Sequence, residues 1–571
     1  MTRGAPDAHT VAPRRLDDAS RGAAPLAGLV ERGLPDRIVL VSLLLLAAAL
    51  RFVSLASRGS WDADQGHDML VLQAFTQGGI VPLLGPPTSI GDVHHGAAYY
   101  FLLAPLALLS GSDPTVVVGG LAVAGTAAVG VVWWLARAVG GSLAGAIAGL
   151  LIAVSPSAIE ASTFLWNPNA IGLTAAVALA AAWRAQSTGW TRGWVLAGFA
   201  LGLTMQLHIL GVGLVVPIVG LFVWTWRRAG KSSGPGRQVV EVPRRAMALA
   251  GLGALAMIAI LYIPLAINEA ATGFSETRAA LAFLAEGSPP DALDPVSRTL
   301  IVFLRVVAWP LVGLITDVPI PGLLVALGLA ASAAWRWRAR GNDERLAVRW
   351  FTLSIVWSTL FLAVAGRGLT TVIPGLPNDH YHAFVDPMVF GLIGLGLAAV
   401  ARRRDGQYGG DGPGRVVVAI VVAATVSVAA GQWPPAVAAD GGWPAARAAG
   451  ERIALATGDR PIELAGLPLF KSTAAYGFPL ADAGLTVSAV TGPGVAPGVT
   501  AGDPAASALV VACDRLFESV LLASCGGPAE ERILERGGDV VYELVERFDA
   551  SPRTVISIYL AKGTAEPGAA P

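Results

Sequence analysis

The sequence predicts a polytopic α-helical membrane protein that carries a small α/β domain outside the membrane at its C-terminal end. Three observations predict it. Of 571 residues, 54% are hydrophobic and 14% charged, with mean hydropathy +0.61. Long Leu/Ala/Val/Gly runs alternate with short arginine-rich breaks, the pattern of a helical membrane protein with basic cytoplasmic loops. From about residue 440 the composition turns soluble. Net charge is zero, so global charge names no partner. No concentrated basic and aromatic patch lies outside the basic breaks, and nucleic-acid binding is not supported.

Residues 1–37 are polar and rich in Pro, Ala and Arg, which predicts a disordered cytoplasmic N-terminus. The run "IVLVSLLLLAAALRFVSLAS" (38–57) reads as a retained anchor rather than a cleaved signal. Five basic breaks, at Arg137, 184–192, 226–245, 335–350 and 401–407, are placed inside with the N-terminus. Parity then leaves one crossing between 97 and 137. The run 97–111 is too short for an untilted span, so it reads as a juxtamembrane helix and 114–136 as the second span. The same argument makes 296–317, with Arg298 and Arg305, a second interfacial helix. The remaining spans fall near 143–158, 168–184, 193–208, 210–226, 246–268, 318–335, 350–366, 384–401 and 415–431, eleven in all. The membrane unit is therefore 38–431, with an outer loop at 58–113.

An extracytoplasmic α/β domain is expected over 432–562, followed by a disordered tail, 563–571. "PIELAGLPLF", "ASALVVACD" and "VISIYLAKG" read as strands, and "AEERILERGG" as a helix ending at Gly. Cys513 and Cys525 form either a disulfide, adding roughly 3 kcal/mol, or two buried thiols. No Cys-x-x-Cys metal pattern exists. The expected location is the plasma membrane.

This topology gathers four polar patches on the outer face. The first holds Asp62, Asp64, His67 and Asp68, then Asp92, His94, His95, Tyr99 and Tyr100. The second, 155–169, holds Glu160, Asn167 and Asn169. The third, 269–296, holds Glu276, Arg278, Glu286 and Asp291. The fourth, 365–387, holds Arg367, Asp379, His380, Tyr381, His382 and Asp386. A lone carboxylate in an outer loop is ordinarily soluble surface. Five of the chain's seven histidines flanking apolar helices point instead to acid–base, phosphate or metal chemistry.

Asp64 and Asp68 are spaced i, i+4. A helix over "ADQGHDMLVLQAF" puts them on one face and turns Met69, Leu70, Leu72 and Phe75 toward lipid or protein, although Gly66 weakens its start. A carboxylate at the edge of a low-dielectric region has a raised pKa and suits a general base near neutrality. Asp62 reads first as a helix cap. Arg51 sits inside the first apolar run, at a cost of a few kcal/mol. It either snorkels outward or meets an anionic lipid headgroup. Arg305 and Arg367 are similar phosphate candidates, because a planar guanidinium binds phosphate through two bonds.

One apolar helix, an Asp-containing outer loop with an amphipathic helix, then a Tyr-Tyr helix resembles the GT-C membrane glycosyltransferases. The nearest likeness is to glycosyltransferase family 39, with the protein O-mannosyltransferases and the lipid A aminoarabinose transferase. The stretches are "DQGHDMLVLQAF" from Asp64, "HHGAAYYFLLAPLALLSG" from His94, "LARAVGGSLAGAIAGLLIAVSPSAIEAS" and "NDHYHAFVDPMVFGLIGLGLA", within 38–400. Two departures stand out. The family's Asp-Glu is Asp64-Gln65 here, which leaves the base between Asp64 and Asp62, and its Pro-Pro is His95-Gly96.

The resemblance implies an inverting transfer of a monosaccharide from a polyprenyl-phosphate donor, whose lipid lies among the spans, to a glycan, lipid or protein acceptor on the outer face. Asp64 would be the base. Arg51, Arg305, Arg367 or a protonated histidine would balance the leaving phosphate. No cofactor is expected. A divalent metal bridging Asp64 with Glu160 or with His94 and His95 is the variant reading. Rival classes are a lipid or solute transporter or flippase, a GT-C glycan ligase or polymerase using a lipid-diphosphate donor, and a membrane scaffold for the outer domain.

Overall fold

The computed structural model describes residues 34–88, 93–230, 242–286, 293–313, 316–339, 341–366, 369, 382–402, 412–468, 473–489, 500–501, 507–535 and 540–564. The chain opens with α1 (Leu34–Phe52), α2 (Leu55–Arg58), α3 (Ala63–Thr76), a hairpin of β1 (Leu84–Pro87) and β2 (His94–Gly96), and α4 (Ala98–Ser110). A helical bundle follows: α5 (Pro114–Gly140), α6 (Ser142–Val154), α7 (Pro156–Glu160), α8 (Ile171–Thr188), α9 (Arg192–Leu207), α10 (Val215–Arg228), α11 (Arg244–Leu261), α12 (Ile263–Thr272), α13 (Ser275–Glu286), α14 (Pro295–Val312), α15 (Pro319–Arg336), α16 (Asn342–Ala365), α17 (Asp386–Ala401) and α18 (Gly412–Gly431). Each apolar segment read as a span has its helix.

Several boundaries follow from short capping signals. Asp113, Ser155 and Asp294 each precede a proline. Each side chain accepts a backbone N–H of the first turn of α5, α7 and α14, while the proline at the first position gives up an N–H that has no partner there anyway. The first span ends earlier than expected, at Phe52, where the chain turns through a left-handed Ser54. Seven of the described helices are long and apolar enough to cross a membrane, α14 among them. The protein is an integral membrane protein. α14 also meets two helix ends. The Arg305 guanidinium donates to the Leu369 carbonyl, just past the end of α16, and Gly313 packs on Gln432, just past the end of α18.

The C-terminal unit begins with α19 (Gly442–Thr457). Then come β3 (Ile462–Leu467), α20 (Ala474–Asp482), β4 (Val487–Ala489), β5 (Thr500–Ala501), β6 (Ala508–Asp514), α21 (Glu518–Leu521), α22 (Pro528–Leu534), β7 (Val540–Asp549) and β8 (Thr554–Thr564). The sheet order is β5-β4-β3-β6-β8-β7, parallel through β6 and antiparallel beyond it. Both faces are covered, as a largely parallel sheet requires. Ile453 of α19 packs with Ile462, Leu464 and Val510 on one face, and Ala529 and Ile533 of α22 pack with Leu509 and Val511 on the other. Cys513 and Cys525 are disulfide-bonded beside α22. The three expected strands and the helix are present, together with two short strands and a long edge strand that the sequence did not announce.

This unit sits directly on the first loop. The Ser57 carbonyl accepts from Ala438 N–H at 2.8 Å, and Asp440 accepts from Trp61 N–H at 3.0 Å and from the Ser60 hydroxyl. The Trp61 indole donates to Ala475 O at 2.9 Å and packs against Trp443 and Phe478. The loop and the C-terminal unit therefore share one end of the bundle.

Candidate active site

The site is built on α3, and its start is fixed by a reciprocal cap. The Asp62 carboxylate accepts from backbone N–H groups of the first turn, and the Gln65 side-chain oxygen accepts from Asp62 N–H at 2.8 Å. The Gln65 amide then donates to Leu165 O at 2.8 Å. A carboxylate at 65 has no hydrogen to give that carbonyl, so the amide suits this setting. Gly66 lies where α3 meets α20: a Cβ there would stand 2.0 Å from Ala474 O. The residue that weakens the helix locally is the one that admits its neighbour.

Asp64 and Asp68 share one face as their spacing predicts, in different surroundings. Asp68 is 1% exposed, and its Oδ1 accepts from the Tyr100 hydroxyl at 2.8 Å, with His67 Nδ1 3.5 Å from the same oxygen. Its Oδ2 has no hydrogen-bond partner among the described residues. Tyr99 packs on Tyr100, ring centroids 5.2 Å apart. Asp64, in contrast, stays reachable by solvent. The protein around it still removes much of its water. That desolvation, with the charges of Asp68 and Asp62, pushes its carboxyl up to about 6 against the pull of His67 and of a hydrogen bond with the Trp166 side chain. Such a group is ionised at neutral pH and is more basic than an ordinary aspartate. The apolar residues of α3 face protein: Met69, Leu70 and Leu72 are buried, and Phe75 meets Phe101 edge-on.

The hairpin brings in the histidines. His94 donates its N–H to Glu276 Oε2 at 2.7 Å, and its Nδ1 lies 3.0 Å from Oε1, which joins the first polar patch to the third. His95 is buried, and burial with the nearby His94 pushes its imidazole down to about 4, so it is neutral. It packs tilted against His208, centroids 4.8 Å apart, and its Nδ1 has no partner among the described residues. At Gly96, where the resemblance expects proline, a Cβ would strike the far end of the Gln206 side chain at 1.9 Å, and that side chain would have to shift. The Asn167 amide donates to Leu207 O. Glu160 ends α7 and is partly exposed.

The arginines are more committed than expected. Arg51 points inward rather than snorkelling. It is fully buried, and donates to Ala47 O at 3.2 Å, Ala153 O at 3.0 Å and Ile152 O at 3.2 Å. The last two are carbonyls that the end of α6 leaves without helical partners, which gives a buried cation its reason to point inward. Gly125 makes the room, since a Cβ there would stand 2.2 Å from Ser162 Oγ and 3.0 Å from Arg51 Nε. Arg305 is buried too, over the Trp309 ring at 4.2 Å. His382 is buried with its Nδ1 2.9 Å from Asp386 at the start of α17. Arg367, His380 and Tyr381 lie outside the described residues. No cluster of three or more His, Cys, Asp or Glu placed to hold a metal occurs among the described residues.

Residues 94–240 match the family model described as dolichyl-phosphate-mannose-protein mannosyltransferase. The whole chain resembles two crystal structures of ArnT from Cupriavidus metallidurans. The apo form is 16% identical, with 94% of this chain and 98% of that one covered and a TM-score of 0.55. The form bound to undecaprenyl phosphate is 15% identical, with 95% and 100% covered and a TM-score of 0.57. The fold is the ArnT-like GT-C fold. The resemblance read from the motifs is borne out at that level, and the ArnT-like likeness extends through the C-terminal sheet. No curated protein matches the chain in sequence.

Sequence reasoning missed His208, Gln206 and Trp166. His208 and Gln206 stand at the junction of two apolar runs, "TMQLHILG". A polar pair there was the available signal, and it was read as part of a span.

Proposed function

We propose that this protein is an inverting glycosyltransferase that uses a polyprenyl-phosphate-linked monosaccharide. The observation that carries the reading is Asp64: a solvent-reachable carboxyl raised to about 6, on a helix clamped from both sides, within an ArnT-like fold. Undecaprenyl phosphate, the ligand bound to one of the ArnT structures, is the leaving group that this reaction would release. Asp64 takes the proton of an acceptor hydroxyl or amine. The freed lone pair forms a bond to the anomeric carbon as the bond from that carbon to the phosphate oxygen breaks, and the lipid leaves as polyprenyl phosphate with inverted sugar configuration. Transfer takes place at the end of the bundle that carries the loop and the C-terminal unit, which is read as extracytoplasmic from the opposite placement of the arginines. Hexosyl and pentosyl donors both fit this scheme.

Asp62 is engaged in capping and Asp68 in holding Tyr100, which leaves Asp64 as the base. His67, His94, His95 and Asn167 are proposed to line the sugar and acceptor sites. The test is release of polyprenyl phosphate from a panel of lipid-phosphate sugars by the purified protein. Release from one donor by wild type, reduced about a hundredfold or more in Asp64→Asn, supports the reading. Unchanged release by the variant moves the base elsewhere, and no release from any donor with any acceptor overturns the function.

A further inference from the structure

A cavity lies away from α3, with none of that helix's residues in its lining. It is a slot of about 920 Å³ at the arginine-rich end of the bundle, between the end of α8, α10 and the first half of α16. That volume is near the top of the range for small-molecule sites. Among the described residues, the lining at that end carries Arg228, Arg345 and Arg349 against one carboxylate, Asp343. Farther along α10 and α16 the lining is apolar: Val216, Leu353 and Trp357, which face outward, and the buried Leu221. From Arg349 to Trp357 is eight helical residues, about 12 Å, close to the thickness of one leaflet's hydrocarbon, about 15 Å.

The walls are held in place by fixed contacts. The Trp350 indole donates to Pro217 O at 3.0 Å and the Trp357 indole to Gly213 O at 2.9 Å, pinning α16 to α10 and the turn before it. Gly220 of α10 borders open space, since a Cβ there would meet nothing within 4 Å. Arg345 and Arg349 are held but keep donors to offer, while Arg228 is engaged. The Arg228 guanidinium lies 3.8 Å from the Trp224 ring centroid, Arg345 bonds the Asn342 side chain, and Arg349 donates through Nε to Trp337 O. Each guanidinium has five N–H donors, so hydrogens remain on Arg345 and Arg349 for a phosphodiester.

We propose that this slot binds one anionic phospholipid from the leaflet at the arginine-rich end, with its phosphate between Arg345 and Arg349 and an acyl chain along Gly220 and Leu221. The cationic excess at the mouth selects an anionic over a zwitterionic headgroup. Trp224, beside Arg228 at that end, suits the headgroup level. This site is separate from the one on α3, and its failure leaves the transferase reading untouched.

The test uses the full chain purified in mild detergent, with phosphatidylglycerol or phosphatidylcholine of the same acyl chains added separately, and retained lipid counted by native mass spectrometry. One phosphatidylglycerol per chain, retained about tenfold more strongly than phosphatidylcholine, is expected. Gly220→Trp should fill the slot and remove that retention. Should this variant fail to fold, the Arg345→Gln/Arg349→Gln pair should remove the preference for the anionic lipid by a similar factor. Equal retention of the two lipids, or retention unchanged in a folded Gly220→Trp or in the arginine pair, overturns the proposal.

Discussion

Asp64 and Arg51 show how one residue's setting decides its chemistry. Asp64 has its carboxyl raised to about 6 by desolvation and by two neighbouring carboxylates. A base must be deprotonated to act, so turnover should fall as pH drops through about 6, with an acid limb in the kcat/KM profile there. An ordinary aspartate would place that limb near 4. A limb near 4, or one near 6 that survives in the residual rate of Asp64→Asn, removes this assignment. Arg51 differs, because its donors go to the carbonyls of Ile152 and Ala153. Arg51→Leu leaves buried carbonyls without partners and should cost about 1–3 kcal/mol, seen as a lower melting temperature. KM for the donor lipid should stay close to wild type. A large rise in KM without loss of stability would return Arg51 to phosphate binding.

At the scale of elements, α3 rests on its contacts more than on its intrinsic preference. Gly66→Ala would favour an isolated helix by about 1 kcal/mol. Here the added methyl meets the Ala474 backbone at 2.0 Å, and a strained contact of that kind costs about 1–3 kcal/mol. The variant should therefore lose stability and expose the junction near Trp61 to protease. A stabilised protein would show that α20 moves aside freely. The same element shows how far the sequence could be read. The i, i+4 carboxylates and the cap at Asp62 follow from local chemistry, so they were legible. Gly66 was legible only as a weakness, because the partner that explains it is remote in sequence. β4 and β5 span three and two residues, too short for any period to register. His208 and Gln206 were hidden inside apolar runs, where hydropathy averages away a polar pair.

At the scale of the whole molecule, hydropathy and the arginine breaks fixed where helices would form, since burial in lipid demands long apolar segments whatever the tertiary contacts. They did not fix which helices line the site. The join of the first polar patch to the third through His94 and Glu276 spans 182 residues, and that pairing lies beyond any local pattern. The bundle carries one polar end and one arginine-rich end.

The clamp on α3 has a bearing on how the chain is made. The Trp61 indole and its acceptor, Ala475 O, are 414 residues apart. A ribosome that has completed every helix through α18 has still not produced α20, so α3 lacks the surface that Gly66 lies against and its aromatic partners Trp443 and Phe478. The helix bearing Asp64 can thus gain its full set of contacts only after the membrane bundle has been synthesised. Chains cut short before the sheet keep their apolar segments and the contacts of α3 with Leu165, Tyr100 and Phe101, but lack the α20 side of the clamp.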